Sequence, residues 1–235
     1  MHCVPRELGE QAAAGTAAAG PIPLVDFFRL EDRFERLGHF GIAVRGRAHS
    51  ALLFSRLPIR QLEGTAIAVT DESSTTVRLL RLILEQRYRI APKAYVQGQD
   101  PAAEALLLIG DEALRYRHTN TRYPYETDLA FEWWLWQHQP FVFAVWAIRK
   151  DVGVQVKREV ESAIARALAG NLRQLSEISR EYGPALGLSE VEVEAYLSNF
   201  MYRLGRDEEA GIAKFRELLD DPTTCRSLPK ADLRA

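Results

Sequence analysis

Short apolar runs alternate with amphipathic segments through the middle of the chain. TAIAVT, Thr65 to Thr70, is apolar between polar ends, which predicts a strand buried on both faces of a parallel sheet. VRLLRLILEQRYR follows and places three apolar residues on one helical face, namely Val77, Leu80 and Leu84. Further strands are predicted at Lys93–Gln97 and Ala105–Asp111, and EALRYRH begins a helix. The alternation predicts an α/β unit over residues 65–111.

The segments before this unit are shorter and more mixed. Pro5 suits the first turn of a short helix, RELGEQAAA, which Gly15 would end. Residues Pro21–Phe28 predict a brief extended segment. Phe40–Arg56 contains two β-rich runs separated by Arg-Gly-Arg, which predicts either a strand pair or one long bent strand.

The segments after the unit become helical. A polar, Tyr-rich loop precedes LAFEWWLWQHQ, which predicts a short helix, and Phe141–Arg149 predicts a strand. From there to the end only helices are predicted, from apolar residues spaced three or four apart. Ser189 and Glu192 form a capping box for a helix that would end at Gly205, and a last helix is predicted around GIAKFRELL.

Composition and motifs narrow the function classes. The 30 Lys+Arg and 32 Asp+Glu residues leave a net charge of −2 with no basic patch, so no nucleic-acid partner is expected. No signal peptide or membrane-length apolar run is visible, which favours a cytoplasmic protein. Cys3 and Cys225 form no CxxC, and the five histidines show no ligand spacing, so neither a zinc site nor a disulfide framework is expected. The usual nucleotide, serine-hydrolase and zinc-protease motifs are absent.

Two segments where a strand runs into a helix are the candidate binding sites, since open α/β sheets bind ligands at such places. In DESSTT, the hydroxyls of Ser73 and Ser74 can cap a helix, or its first-turn amides can hold an anion. Gly110-Asp111 is either a tight turn with an N-cap or a pocket border. Arg45 could clamp a carboxylate or lie in a solvated turn. The tryptophans of FEWWLW favour core packing over a substrate platform.

Taken in order, several segments resemble the chorismate dehydratases of the futalosine route to menaquinone: HSALLFSRLPI, AVTDESSTTVRLL, ALLLIGDEAL, PFVFAVWAIR and YLSNFMYRLGRDEEAGIAKFREL. The resemblance spans roughly His2 to Leu219. It implies an α/β, two-lobed periplasmic-binding-protein-like type II fold with a helical C-terminus. SALLFSR and FVFAVWAIR would be the two crossing hinge strands. Residues 1–57 and 144–235 would form lobe one, and residues 58–143 lobe two.

The resemblance also implies an activity, namely the loss of water from chorismate to give 3-[(1-carboxyvinyl)oxy]benzoate. The expected ligand is chorismate or a related small dicarboxylate, with no metal and no organic cofactor. Ser50 would be the catalytic contact, and the implied substrate-binding residues are Ser74, Thr75, Thr76, Gly110 and Asp111. Arg45 is a further predicted substrate-binding residue on its own chemistry, because the family often has an Asp-Gly pair where this chain has Arg45-Gly46. A membrane partner is not expected, and a homodimer is left open.

The family's usual N-terminal strand and Asn-containing loop have no match from Met1 onward. That strand would lie at the centre of the lobe-one sheet, so an open sheet edge is expected there. Two hypotheses follow. Either Met1 is a misassigned start of a chorismate dehydratase, or the chain is a non-catalytic or divergent small-carboxylate-binding protein of the same fold.

Overall fold

The computed structural model describes residues 4–221. The expectation about Cys3 and Cys225 therefore lies outside the described residues. Within residues 4–221 the chain forms two sheets. The strands are β1 (Ala19–Pro23), β2 (Phe34–Val44), β3 (Ala51–Ser55), β4 (Ala66–Val69), β5 (Ala94–Gln97), β6 (Ala105–Ile109), β7 (Tyr125–Asp128), β8 (Phe141–Arg149) and β9 (Phe200–Arg203).

Helices flank both sheets. They are α1 (Pro5–Ala13), α2 (Leu24–Leu30), α3 (Ser74–Leu82), α4 (Gly110–Thr119), α5 (Leu129–Gln137), α6 (Val154–Asn171), α7 (Leu175–Leu186), α8 (Glu190–Ser198) and α9 (Arg206–Asp220). A π-helical turn, Ile83–Arg87, prolongs α3. Among the described residues, none of these helices is both long and apolar enough to span a membrane.

The central α/β unit has the predicted form. β4 pairs in parallel with β5 and β6, and Ile67, Ala68 and Val69 are fully buried. β3 joins the other side of β6 in antiparallel register, and β7 closes the sheet in the order β5-β4-β6-β3-β7. This confirms the parallel strand predicted at 65–70. β3 and β6 are apolar at every residue except Ser55. This composition is typical of strands that are covered on both faces.

The second sheet is antiparallel, in the order β1-β8-β2-β9. β8, predicted at Phe141–Arg149, is flanked on both sides by other strands, and most of its side chains are buried. β1 lies at the edge and carries Pro21 and Pro23, which cannot donate to a further strand. α1 packs beside this strand, with Ala12 buried.

The chain passes from one sheet to the other twice, through residues 45–50 and 138–140. These connections lie just before β3 and β8, which contain the two predicted hinge strands. β3 pairs only within the five-stranded sheet, and β8 only within the four-stranded sheet. Phe40–Arg56 therefore contributes to two strands rather than one long bent strand, and these two strands belong to different sheets and do not pair with each other. We propose that the lobes divide at these two connections, which moves the expected boundaries by a few residues and assigns β3 to lobe two.

Several local predictions were wrong in part. Pro21–Phe28 is extended only to Pro23, after which α2 begins. The Tyr-rich loop contains β7, and the segment from Ser189 to Gly205 is helical only to Ser198 before it forms β9. β7 and β9 are short and polar or mixed, so local periodicity does not reveal them; each is defined by pairing with a partner strand. The Ser189–Glu192 capping box is confirmed.

Candidate functional site

One edge of the five-stranded sheet collects most of the predicted site residues. β4 and β6 run parallel and end there, while β3 is antiparallel to β6 and begins there. Ser50, Thr70–Ser74 and Gly110-Asp111 therefore lie along one edge, called here the candidate edge. In open α/β sheets this is where ligands bind, beyond the carboxyl ends of parallel strands.

Ser50 is buried at the start of β3, with 8% of its surface exposed. Its backbone oxygen accepts a hydrogen bond from the Gly110 amide at 2.8 Å, which links it to the start of α4. Its Oγ accepts a hydrogen bond at 2.9 Å from the Tyr196 hydroxyl of α8. The structure thus brings Ser50 and Gly110 together and adds a tyrosine from the C-terminal helices.

The turn before Ser50 is held by a buried carboxylate. His49 adopts a left-handed backbone with φ 64°, which is uncommon for a residue with a Cβ. Its amide donates to Asp128 Oδ2 at 2.7 Å, and Asp128 Oδ1 accepts from the Phe131 amide at 3.1 Å as the N-cap of α5. One carboxylate therefore fastens both the loop that enters β3 and the helix that precedes β8.

The N-terminus of α3 is capped as the first interpretation of DESSTT predicted. Ser73 is the N-cap, and its Oγ accepts from the Thr76 amide at 3.1 Å. The same Oγ donates to Thr76 Oγ1 at 3.0 Å. Capping is thus confirmed for Ser73, whereas Ser74 bonds elsewhere.

The three hydroxyls predicted to bind a substrate carboxylate all have partners inside the chain. Ser74 Oγ donates to Asp26 Oδ2 of α2 at 2.7 Å. Thr75 Oγ1 accepts from the Val25 amide at 3.1 Å in a buried contact. Thr75 and Thr76 are the acceptors in these bonds, so an anion bound here could take their hydroxyl protons or the first-turn amides, or displace Asp26 from Ser74.

Asp26 places a carboxylate of the chain itself at this helix start. Burial raises its pKa above the ordinary value, while the hydrogen bond from Ser74 and the charge of Arg29, 3.6 Å away, act in the opposite direction. Gly9 of α1 leaves room for the carboxylate, because a Cβ added there would lie 2.5 Å from Asp26 Oδ2. The backbone of α1 also contacts this corner: the Arg6 amide donates a hydrogen bond of 3.0 Å to the backbone oxygen of Glu72.

The rest of the candidate edge is acidic. Burial raises the pKa of Glu72, and the nearby charges of Glu112, Asp71 and Asp111 raise it further. Arg115 opposes this effect and forms an ion pair with Asp111 at 3.4 Å. Asp111 itself is exposed in the first turn of α4, where a negative charge suits the helix dipole. Gly110, with φ 54°, makes the turn from β6 into that helix.

The contacts of Arg45 and of Trp133 involve other residues than Ser50. Arg45 pairs with Asp207 of α9, and its guanidinium lies 5.5 Å from the centre of the Trp134 ring. Trp133 is fully buried and packs edge-on against Trp136, Phe141 and Phe215. The preference for core packing is confirmed for Trp133, which joins α5 to β8 and α9.

Two residues that sequence reasoning missed are the partners of the predicted hydroxyls. Asp26 lay in a segment predicted to be extended, and Tyr196 lay in a helix interpreted only for its cap. Their separations from Ser74 and Ser50, 48 and 146 residues, leave no local signal. Among residues 4–221, no group of three or more His, Cys, Asp or Glu side chains is arranged to hold a metal.

Comparison with solved structures defines the class of this fold. A protein of Archaeoglobus fulgidus matches with a TM-score of 0.75 at 20% identity, over 92% of this chain and 83% of its own. The periplasmic aliphatic sulphonate binding protein SsuA from Escherichia coli matches with a TM-score of 0.57 at 13% identity, over 98% and 84%. A Candida albicans gene product described as having the generic periplasmic binding protein fold matches with a TM-score of 0.65 at 10% identity, over 98% and 81%. The periplasmic-binding-protein-like α/β fold is therefore confirmed.

Sequence comparison then gives the family. The profile described as menaquinone biosynthesis matches residues 1–221, and the chain belongs to that family. The chorismate dehydratase of Thermus thermophilus is 29% identical over 94% of this chain and 87% of its own length. The family resemblance drawn from the ordered segments is confirmed.

Proposed function

We propose that the protein is a hydro-lyase that removes water from chorismate to give 3-[(1-carboxyvinyl)oxy]benzoate. The similarity to a chorismate dehydratase along nearly the whole chain supports this proposal. The observation that carries it is the position of Ser50, a buried hydroxyl at the passage between the sheets and beside the start of α4. Departure of the hydroxyl is aided by a hydrogen-bond donor, and Ser50 is the side chain proposed to contact the substrate.

The main task of the protein in this reaction is to position the substrate. Loss of water makes the ring aromatic, so much of the driving force lies in the substrate. The ring C–H electron pair becomes the new double bond, and the C–O pair leaves with the hydroxyl, which departs as water. The protein must orient a dianion, polarise the leaving hydroxyl and exclude bulk water.

The substrate carboxylates are proposed to lie near the starts of α3 and α4. Ser74, Thr75, Thr76 and Gly110 remain the proposed binding residues, with first-turn amides as donors and the Asp26–Ser74 contact as the competing one. Asp111 is proposed to border the pocket. Arg45 would have to exchange its pairing with Asp207 for a substrate carboxylate.

Chorismate turnover by the purified full chain tests the proposal. The diene absorbance should fall, and the enolpyruvyl benzoate should be identified by mass spectrometry; unchanged chorismate at high protein concentration would refute it. Ser50→Ala should lower turnover by a larger factor than it raises the unfolding equilibrium constant. Ser55→Ala is the matched control, because Ser55 ends β3, the strand that Ser50 precedes, and its Oγ donates to the Leu57 backbone oxygen.

One observation favours a second candidate, a non-catalytic small-carboxylate-binding protein. The Ser74 hydroxyl is already bonded to a carboxylate of the chain, so this corner can hold an anion without any reacting group. Calorimetry with chorismate separates the two. Binding without turnover supports the second candidate, and turnover excludes it.

A further inference from the structure

The hydrogen bond between Tyr196 and Ser50 joins the last part of the chain to the candidate edge. Tyr196 belongs to α8, whose start is fixed by the Ser189–Glu192 capping box. Its ring packs edge-on against Phe200 with 5.2 Å between centroids. The ring is therefore held from two sides, and its hydroxyl reaches Ser50 Oγ at 2.9 Å.

The direction of this bond determines what Ser50 can do. A serine hydroxyl has one proton and two lone pairs, and here Tyr196 donates to a lone pair. The Ser50 proton is left to be donated to another acceptor. Burial raises the pKa of Tyr196, the hydrogen bond with Ser50 opposes this, and the charge of Asp111 raises it; the net shift is upward, so the tyrosine keeps its proton at neutral pH. A donor that is itself hydrogen-bonded in a buried chain becomes a stronger donor.

We infer that Tyr196 is a positioning residue that orients the Ser50 hydroxyl and strengthens its hydrogen bond to the leaving oxygen of the substrate. The inference rests on the proposed function, because it concerns the same reaction. No proton passes from Tyr196 in the net reaction. The tyrosine acts through Ser50, and the water that leaves carries the substrate's own hydroxyl and ring hydrogen.

The test compares four proteins, each as the full chain: wild type, Tyr196→Phe, Ser50→Ala and the double variant. Tyr196→Phe should lower kcat about tenfold, the effect of roughly one hydrogen bond, with KM changed less than kcat. In the Ser50→Ala background, Tyr196→Phe should not lower kcat further, because Tyr196 acts through the Ser50 hydroxyl, which this background lacks. Tyr202→Phe is the matched control, since its hydroxyl donates to the Leu197 oxygen at 3.0 Å in the same segment.

The opposite results are equally distinct. An unchanged kcat, or an equal loss from Tyr196→Phe with and without the Ser50 hydroxyl, overturns the inference and leaves Tyr196 a structural residue. A wild type without turnover refutes the proposed function separately, and calorimetric binding of chorismate then replaces kcat. Weaker binding by Tyr196→Phe only when Ser50 is present supports the inference. Equal binding by wild type and Tyr196→Phe, or no binding by either, overturns it.

Discussion

Ser74 donates a hydrogen bond of 2.7 Å to the carboxylate of Asp26. Ser74 opens α3, on the side of the five-stranded sheet, whereas Asp26 lies in α2, directly after a strand of the other sheet. The contact therefore joins the two halves of the fold at the start of a helix, where negative charge is favourable. The carboxylate at this helix start is one of the chain's own, whereas the carboxylate predicted here was that of the substrate.

Asp26→Asn should change how stability depends on pH. Because the pKa of Asp26 is raised on folding, the stability it contributes is full below its ordinary value of 3.8 and is lost as pH rises through the folded pKa. Asparagine cannot ionise and keeps an oxygen for Ser74. The Tm of Asp26→Asn relative to wild type should therefore increase as pH rises above about 4.

Asp32→Asn is the control for that titration. Asp32 follows the same helix, and its side chain is 74% exposed. Thermal unfolding followed from acid to neutral pH should give nearly parallel curves for this variant and wild type. A difference between Asp26→Asn and wild type that stays constant across the range would contradict the burial of an ionising group.

Gly9→Ala should weaken the same corner from the side of α1. The added Cβ would lie 2.5 Å from Asp26 Oδ2 and 2.9 Å from its Cγ, so the carboxylate must move and lose Ser74, or strain must persist. We expect a loss of roughly 1–3 kcal/mol in the free energy of unfolding, partly offset by better helix propensity. Urea denaturation measures it.

Two further variants isolate the cause. Gly170→Ala also lies in a helix, but its added Cβ meets nothing within 4 Å, so it should stabilise by up to about 1 kcal/mol. In an Asp26→Ala background, where the carboxylate is gone and only the contact with the Cβ at 3.2 Å remains, Gly9→Ala should cost much less. A similar loss in both backgrounds would mean that the contact with Asp26 is not the cause.

Thr75→Val should destabilise by roughly 1–3 kcal/mol although it preserves shape. Thr75 is 1% exposed, and its Oγ1 accepts the Val25 amide at 3.1 Å. Valine leaves that buried amide without an acceptor. Thr75→Ser retains the hydroxyl and loses only a methyl group, so its denaturation midpoint should lie between those of wild type and Thr75→Val. Equal midpoints for the valine variant and wild type would show that the amide finds another acceptor.

Much of the fold followed from local pattern. The apolar run at 65–70 and the long run at 141–149 became central strands, because a strand covered on both faces must be apolar throughout. Ser73 and Ser189 cap their helices, since capping depends on residues only three apart. β7 and β9 were missed because their residues form strands by pairing with β3 and β2.

By itself, the sequence determined the α/β class, the family and the segments that supply Ser50, Ser73 and Gly110. These depend on periodicity, capping and the order of motifs, all of which are encoded over short distances. Only the tertiary structure decided which groups those hydroxyls meet. Asp26 and Tyr196 come from 48 and 146 residues away, and hydrogen bonds of that range are set by the path of the whole chain rather than by any local pattern.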